Sequence, residues 1–170
     1  MLFRSVGAKL YYPDDTIQHA GVVVGLGGVA AHVLCKLPRD AEGYMGRLRC
    51  VQEISAVTAA CMMVKTSVFK AVGGFDEELK VAFNDIDLCM KVRKYGVKIV
   101  FTPYAELYHY ESKSRGMEDT PEKQLRFSRE VNCFRRKWER ELLKGDPYYN
   151  PNLTLNNTDC SLRKQEKNGD

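Results

Sequence analysis

Two acidic clusters, set off by helix-stopping glycines, constrain this chain most. Gly73-Gly74-Phe75-Asp76-Glu77 is followed by Phe83-Asn84-Asp85-Ile86-Asp87-Leu88, then by a basic stretch ending at Gly96, an apolar run and Tyr108-His109. Leu88, Val92 and Tyr95 recur at helical spacing behind Asn84 or Asp85, either of which is expected to cap a helix that Gly96 ends. Residues 97–102 read as a strand closed by Pro103. The pattern puts the Asp85 carboxylate at a helix N-terminus and the His109 imidazole one strand later, a candidate base and a candidate metal ligand for one site.

The flanks extend this into an α/β order. Residues 7–12 and 16–24 are apolar-rich around Pro13-Asp14-Asp15, where proline presets φ and aspartate tolerates turn geometry, so a hairpin is expected. Residues 25–28 and 37–43 read as loops, with room between them for a short helix only. Residues 54–64 read as a buried strand and 67–72 as about two helical turns, stopped by glycines that supply positive φ. Thr120 is an N-cap residue with Pro121 at the first helical position, and Phe127, Val131, Phe134, Trp138 and Leu142 make one apolar stripe of a long helix. Its other face is rich in Lys and Arg, as a solvated face is. The tail from Asn150 is polar, and without docking it should be poorly ordered.

A length of 170 residues with 44% hydrophobic content is enough for one domain with its own core. No apolar run reaches the length of a membrane span and Met1-Leu2-Phe3-Arg4-Ser5 lacks a signal-peptide pattern, so the expected location is the cytoplasm, up to the inner face of the membrane. The six cysteines form no C-x-x-C pair and are expected to be reduced and mostly buried. A net charge of +4 allows attraction to phosphates or a membrane surface and calls for no nucleic acid.

With residues 57–64 included, the series from Gly73 to His109 resembles the C-terminal, acceptor-side half of family 2 glycosyltransferases of the GT-A fold. The resemblance runs over residues 6–109, and more loosely through Asp146-Pro147-Tyr148-Tyr149-Asn150-Pro151. It implies an α/β chain carrying a partial GT-A (nucleotide-diphospho-sugar transferase) fold: a mixed sheet with flanking helices in residues 1–118, a long amphipathic helix in 119–149 and a polar tail in 150–170. The implied activity is transfer of a sugar, with inversion, from a UDP- or dTDP-linked donor to a glycan acceptor in cell-surface polysaccharide synthesis. In the family the base is the second member of a Glu-Asp or Asn-Asp pair, the place of Asn84-Asp85, and a histidine at the place of His109 completes a site for a divalent metal, manganese or magnesium. Asp76, Glu77 and Asn84 fall where the family folds its acceptor site, and Lys113 and Arg115, with Ser112 and Ser114, form a basic segment suited to the diphosphate. The family's own D-x-D ends a strand in a donor half expected upstream, so the chain alone is expected to be inactive, and a homodimer is one way to cover the sheet it leaves open.

Several of these residues also have plainer roles. Asp85 also fits a simple helix cap, and Asp76 a bond to neighbouring amides. Phe75 reads as a core anchor and His19 as a structural residue. Asp85-Ile86-Asp87 spells D-x-D, but residues two apart on a helix point to nearly opposite sides, so Asp87 is expected to stabilise the first helical turn or to pair with a nearby lysine or arginine instead. Residues 22–32 offer a rival, a glycine-rich nucleotide loop of an oxidoreductase or adenylating domain, weakened by Pro38 and by the lack of a second parallel strand with a terminal acid. The other rival is a non-catalytic binding module.

Overall fold

The computed structural model describes residues 5–110 and 120–164. It is an α/β structure. Strand β1 (Ser5–Tyr11) is its axis, with β2 (Ile17–His19) and β6 (Met62–Val64) antiparallel along one edge and β7 (Ile99–Tyr108) parallel on the other. The two-residue β5 (Gln52–Glu53) runs antiparallel to β7, and β3 (Val22–Val24) with β4 (Ala30–His32) makes a separate hairpin. The helices are α1 (Thr66–Ala71), α2 (Asn84–Lys94), α3 (Pro121–Lys137) and α4 (Glu139–Lys144). Among the described residues no helix is long and apolar enough to cross a membrane.

The expected first hairpin forms. Asp14 Oδ1 accepts from the Thr16 amide at 3.1 Å, and Asp15 takes φ 61° to close the turn. The second segment is cut at Gly21, whose φ of 108° suits glycine alone, so residues 22–24 leave the main sheet. The short helix expected after the glycine loop is a strand instead. Residues 30–32 pair with β3, where Val22, Val23 and Val24 are all buried. A dinucleotide fingerprint needs a helix N-terminus at that point, and this hairpin removes it.

Two strand expectations also change. Residues 54–64 are broken by the single turn 59–61, so only 62–64 pair with β1. Pro103 does not end β7: the register passes from Gly7↔Phe101 to Lys9↔Glu106, so five steps on β7 oppose two on β1 and the proline sits in the excess. Beyond it β7 runs on to Tyr108 and carries His109 to the far end of β1.

Most of the apolar stripe packs: Phe134 and Trp138 are buried and Val131 and Leu142 lie against the core, while Phe127 stays 42% exposed. Phe134 is 0% exposed and lies 5.4 Å from the Phe83 ring, a burial that contributes about 1.5–3 kcal/mol. The long helix is nonetheless two helices, because Trp138 leaves helical geometry (φ −114°, ψ 22°), and α4 ends at Lys144, short of residue 149. The tail docks, with Leu153 and Cys160 buried and the Leu155 and Thr158 carbonyls accepting from the Gly27 and Leu34 amides. Phe75 is 46% exposed, edge-on to Phe69, while Leu79 fills the core position nearby, because two left-handed glycines turn the chain outward ahead of Phe75. All six cysteines are free, with only Cys89 and Cys160 buried, fewer than expected; burial pushes the Cys89 thiol up to about 12.

Candidate active site

Asp85 stands in the first turn of α2, but neither it nor Asn84 caps the helix. The N-cap position falls to Phe83, in left-handed geometry at φ 63° with no side-chain cap. The segment just before it is held from outside: the buried carboxylate of Glu130, on α3, accepts from the Val81 and Ala82 amides at 3.1 and 2.9 Å. Asp85 lies two positions beyond the N-cap, inside the first turn. One of its oxygens accepts from the Ile86 amide at 2.8 Å and the other from the Ala59 amide at 3.0 Å, which leaves lone pairs on a partly exposed carboxylate.

Asp87 faces elsewhere. Its buried carboxylate takes the Trp138 indole N–H at 2.8 Å and pairs with Lys91 at 3.2 Å and Lys137 at 2.8 Å. Asp85-Ile86-Asp87 is therefore no metal clamp, since its two carboxylates serve different elements. Asp76 bonds the Glu78 amide at 3.0 Å and pairs with Lys137, whose hydrogen bond holds its carboxyl below the usual range. Glu77 is exposed and Asn84 partly buried at the start of α2. Lys113 and Arg115, with the serines beside them, lie outside the described residues.

His109 follows β7, its amide bonded to the Tyr11 carbonyl at 2.9 Å. Its ring Nδ1 lies 2.8 Å from Gln18 Oε1, and its carbonyl accepts from Gln18 Nε2 at 3.3 Å. On the other side of Gln18, His19 is fully buried, with Nε2 3.4 Å from the Thr58 amide and Nδ1 3.2 Å from His32 Nδ1. Burial, aided by His32, holds the His19 imidazole well below its ordinary value. The structural role expected of His19 agrees with this. Contacts thus run from His109 through Gln18 and His19 to Thr58, then through Ala59 to Asp85.

As a metal donor His109 fits singly: an imidazole with one nitrogen tied by a hydrogen bond is the usual form of such a ligand. Among the described residues, no three His, Cys, Asp or Glu side chains converge to hold an ion. Further donors would have to come from beyond this set. Sequence reasoning missed Gln18 and Glu130. Gln18 is a polar residue within an apolar strand, a usable signal, whereas Glu130 gave none because a glutamate on a charged helix face looks solvated.

A cleft of about 540 Å³ lies at the other end of α2, lined among others by Arg93, Lys94, Trp138 and Tyr148. The eleven residues of α2 set it roughly 16 Å from the Asp85 end.

No family model matches the chain, and no solved structure matches it. It is similar to an uncharacterised protein, y4gI, of Sinorhizobium fredii, 59% identical over 158 residues, which is 92% of this chain and 17% of that protein. It is 39% identical over 167 residues to the O-antigen biosynthesis protein RfbC of Myxococcus xanthus, 98% of this chain and 13% of that one. A 62-residue stretch is 36% identical to an N-acetylglucosaminyl-diphospho-decaprenol L-rhamnosyltransferase of Mycobacterium tuberculosis, 36% of this chain and 20% of the enzyme. The chain spans less than a fifth of the length of the first two relatives, and the likenesses to the O-antigen biosynthesis protein and the rhamnosyltransferase support a glycosyltransferase relationship.

Proposed function

We propose that this chain is the acceptor-side part of a family 2 glycosyltransferase with a GT-A fold, working in O-antigen or other cell-surface polysaccharide synthesis, with Asp85 as the general base. The observation that carries this reading is the state of Asp85: a carboxylate in the first turn of a helix, oriented by the Ile86 and Ala59 amides and still partly exposed. The relatives named for O-antigen biosynthesis and rhamnosyl transfer support the class of reaction.

In the proposed reaction Asp85 takes the proton from an acceptor hydroxyl as that oxygen bonds to the anomeric carbon of the donor sugar. The bond from that carbon to the UDP or dTDP oxygen breaks, the diphosphate carries away the electron pair, and the anomeric centre inverts. Asn84, Asp76 and Glu77 flank the acceptor side, while Lys113 and Arg115 meet the diphosphate. His109 contributes one donor to a manganese or magnesium ion, which when bound neutralises charge on the leaving diphosphate. The nucleotide pocket and the remaining ligands belong to a donor part of the working enzyme, which acts at the cytoplasmic face of the membrane.

Asp85→Asn in the working enzyme tests this. Asparagine keeps one of the two amide bonds, so thermal unfolding is measured beside turnover, which should fall by about 100-fold or more in a variant that remains folded. Turnover close to that of the parent would mean that Asp85 is a structural residue and the segment a binding module.

A further inference from the structure

Gln18 occupies an irregular place in its strand. Leu10 pairs with His19 and Tyr11 with Ile17, so Gln18 is the extra residue of a β-bulge. A bulge twists the strand and re-aims the side chain of the inserted residue. Its backbone carbonyl turns to the β4 side, where His32 Nδ1 lies at 3.0 Å and the Cys35 thiol donates at 3.1 Å. Its side chain passes instead to His109, although the residue is only 3% exposed and His109 is 91 positions later in sequence. A buried amide is costly unless its polar atoms are matched, so a glutamine in a bulge at this place needs a purpose.

The two bonds to His109 fix each other's sense. Gln18 Nε2 faces the His109 carbonyl, which can only accept, so that atom is the amide nitrogen and the atom facing the ring is the amide oxygen. An amide oxygen cannot donate. Nδ1 of His109 must therefore carry the hydrogen, and in the neutral ring Nε2 keeps the lone pair.

We infer that Gln18 is the positioning residue of this site: by gripping the main chain and ring of His109 together, it holds the imidazole as the Nδ1–H tautomer and presents Nε2 to a divalent cation. The cation half rests on the reading of His109 under the proposed function; the tautomer half does not. Partners of this kind fix both ring orientation and ligand basicity, and their loss weakens metal binding by roughly 10–100-fold.

Long-range proton–nitrogen correlation spectra of the ¹⁵N-labelled chain at about pH 8 read the tautomer directly, since the ordinary imidazole is neutral there. Only three histidines contribute, and a His109→Asn spectrum assigns the signal. Parent His109 should show a protonated Nδ1 and a pyridine-type Nε2. Gln18→Leu should move it to the Nε2–H form that imidazole prefers in water, and Gln18→Glu, which still accepts from Nδ1–H, should restore the parent pattern even if the leucine variant folds poorly. An Nε2–H signal in the parent, or a parent pattern kept in Gln18→Leu, overturns the inference. Manganese affinity of the working enzyme, compared between parent and Gln18→Leu, separates the two halves: a loss of about 10–100-fold supports the cation role. With the predicted tautomer in the chain but an unchanged manganese affinity of the enzyme, Gln18 keeps its positioning role and the cation reading falls.

Discussion

The indole Nε1 of Trp138 donates to Asp87 Oδ1 across 51 residues of sequence, at 2.8 Å, with both side chains almost wholly buried. The bond ties the break between α3 and α4 to the first turn of α2, two residues from Asp85. A buried indole N–H needs an acceptor, and a buried carboxylate needs donors and positive charge; here the lysines at 91 and 137 complete the set. The second acid of the D-x-D spelling is therefore the anchor by which the C-terminal helices hold the proposed base helix.

Removing the acid should cost more than removing the indole bond. Asp87→Ala leaves the buried indole N–H without its acceptor and removes the carboxylate that Lys91 and Lys137 share, although these keep the Gly74 carbonyl and Asp76, and should destabilise the chain by about 3 kcal/mol in urea titration. Trp138→Phe keeps most of the packing and loses one bond to a charged acceptor, about 1–3 kcal/mol. Equal stability of the tryptophan variant and the parent would show that packing alone holds this junction.

How legible this region is from sequence depends on the range of the interaction. The Asp14-Thr16 turn, the positive φ at Gly73 and Gly74, the end of α2 at Gly96 and the Thr120-Pro121 start of α3 are local, and each appears where residue chemistry puts it. The pairing of Asp87 with lysine was legible too, since helical geometry forbids it to share a ligand with Asp85. The failures are tertiary. Asn84 and Asp85 look like caps, yet the N-cap falls on Phe83, behind a segment that Glu130 holds from another helix; Pro103 looks like a strand end, yet an excess of residues on β7 absorbs it. Gln18 shows its role only once a bulge and a residue 91 positions away are placed together.

The buried His19 makes stability pH-dependent. In the fold its imidazole is held well below its ordinary value, whereas in the unfolded chain it takes a proton below about pH 6.5. The unfolded state then binds more protons, so stability should decline as pH falls through that value. Urea midpoints at pH 7.5 and 5.5, compared between parent and His19→Gln, isolate the contribution: the variant should have the flatter profile. Identical slopes would mean that His19 is not kept neutral.

Gly7 is required for closeness. A Cβ there would lie 2.5 Å from Cβ and Cγ1 of the fully buried Val57, at the point where β1 pairs with both β6 and β7. Gly7→Ala should destabilise by about 1–3 kcal/mol through overpacking. The double variant Gly7→Ala, Val57→Ala should recover part of that loss, since the clash partner is gone. Strict additivity of the two losses would place the strain elsewhere.

The 170-residue chain alone should neither transfer sugar nor bind a nucleotide sugar tightly. His109 offers one nitrogen, the Asp85 carboxylate is already engaged by two amides, and among the described residues no third ligand joins them. Manganese and magnesium need several oxygen or nitrogen donors, so a single imidazole gives weak binding at best. Calorimetric titration with manganese, then with UDP- and dTDP-sugars in its presence, should give no saturable heat at concentrations that would detect a dissociation constant of about 1 μM, a binding free energy of about −8 kcal/mol. Saturable micromolar binding by the chain would place a complete donor site within it and refute the division of labour proposed here.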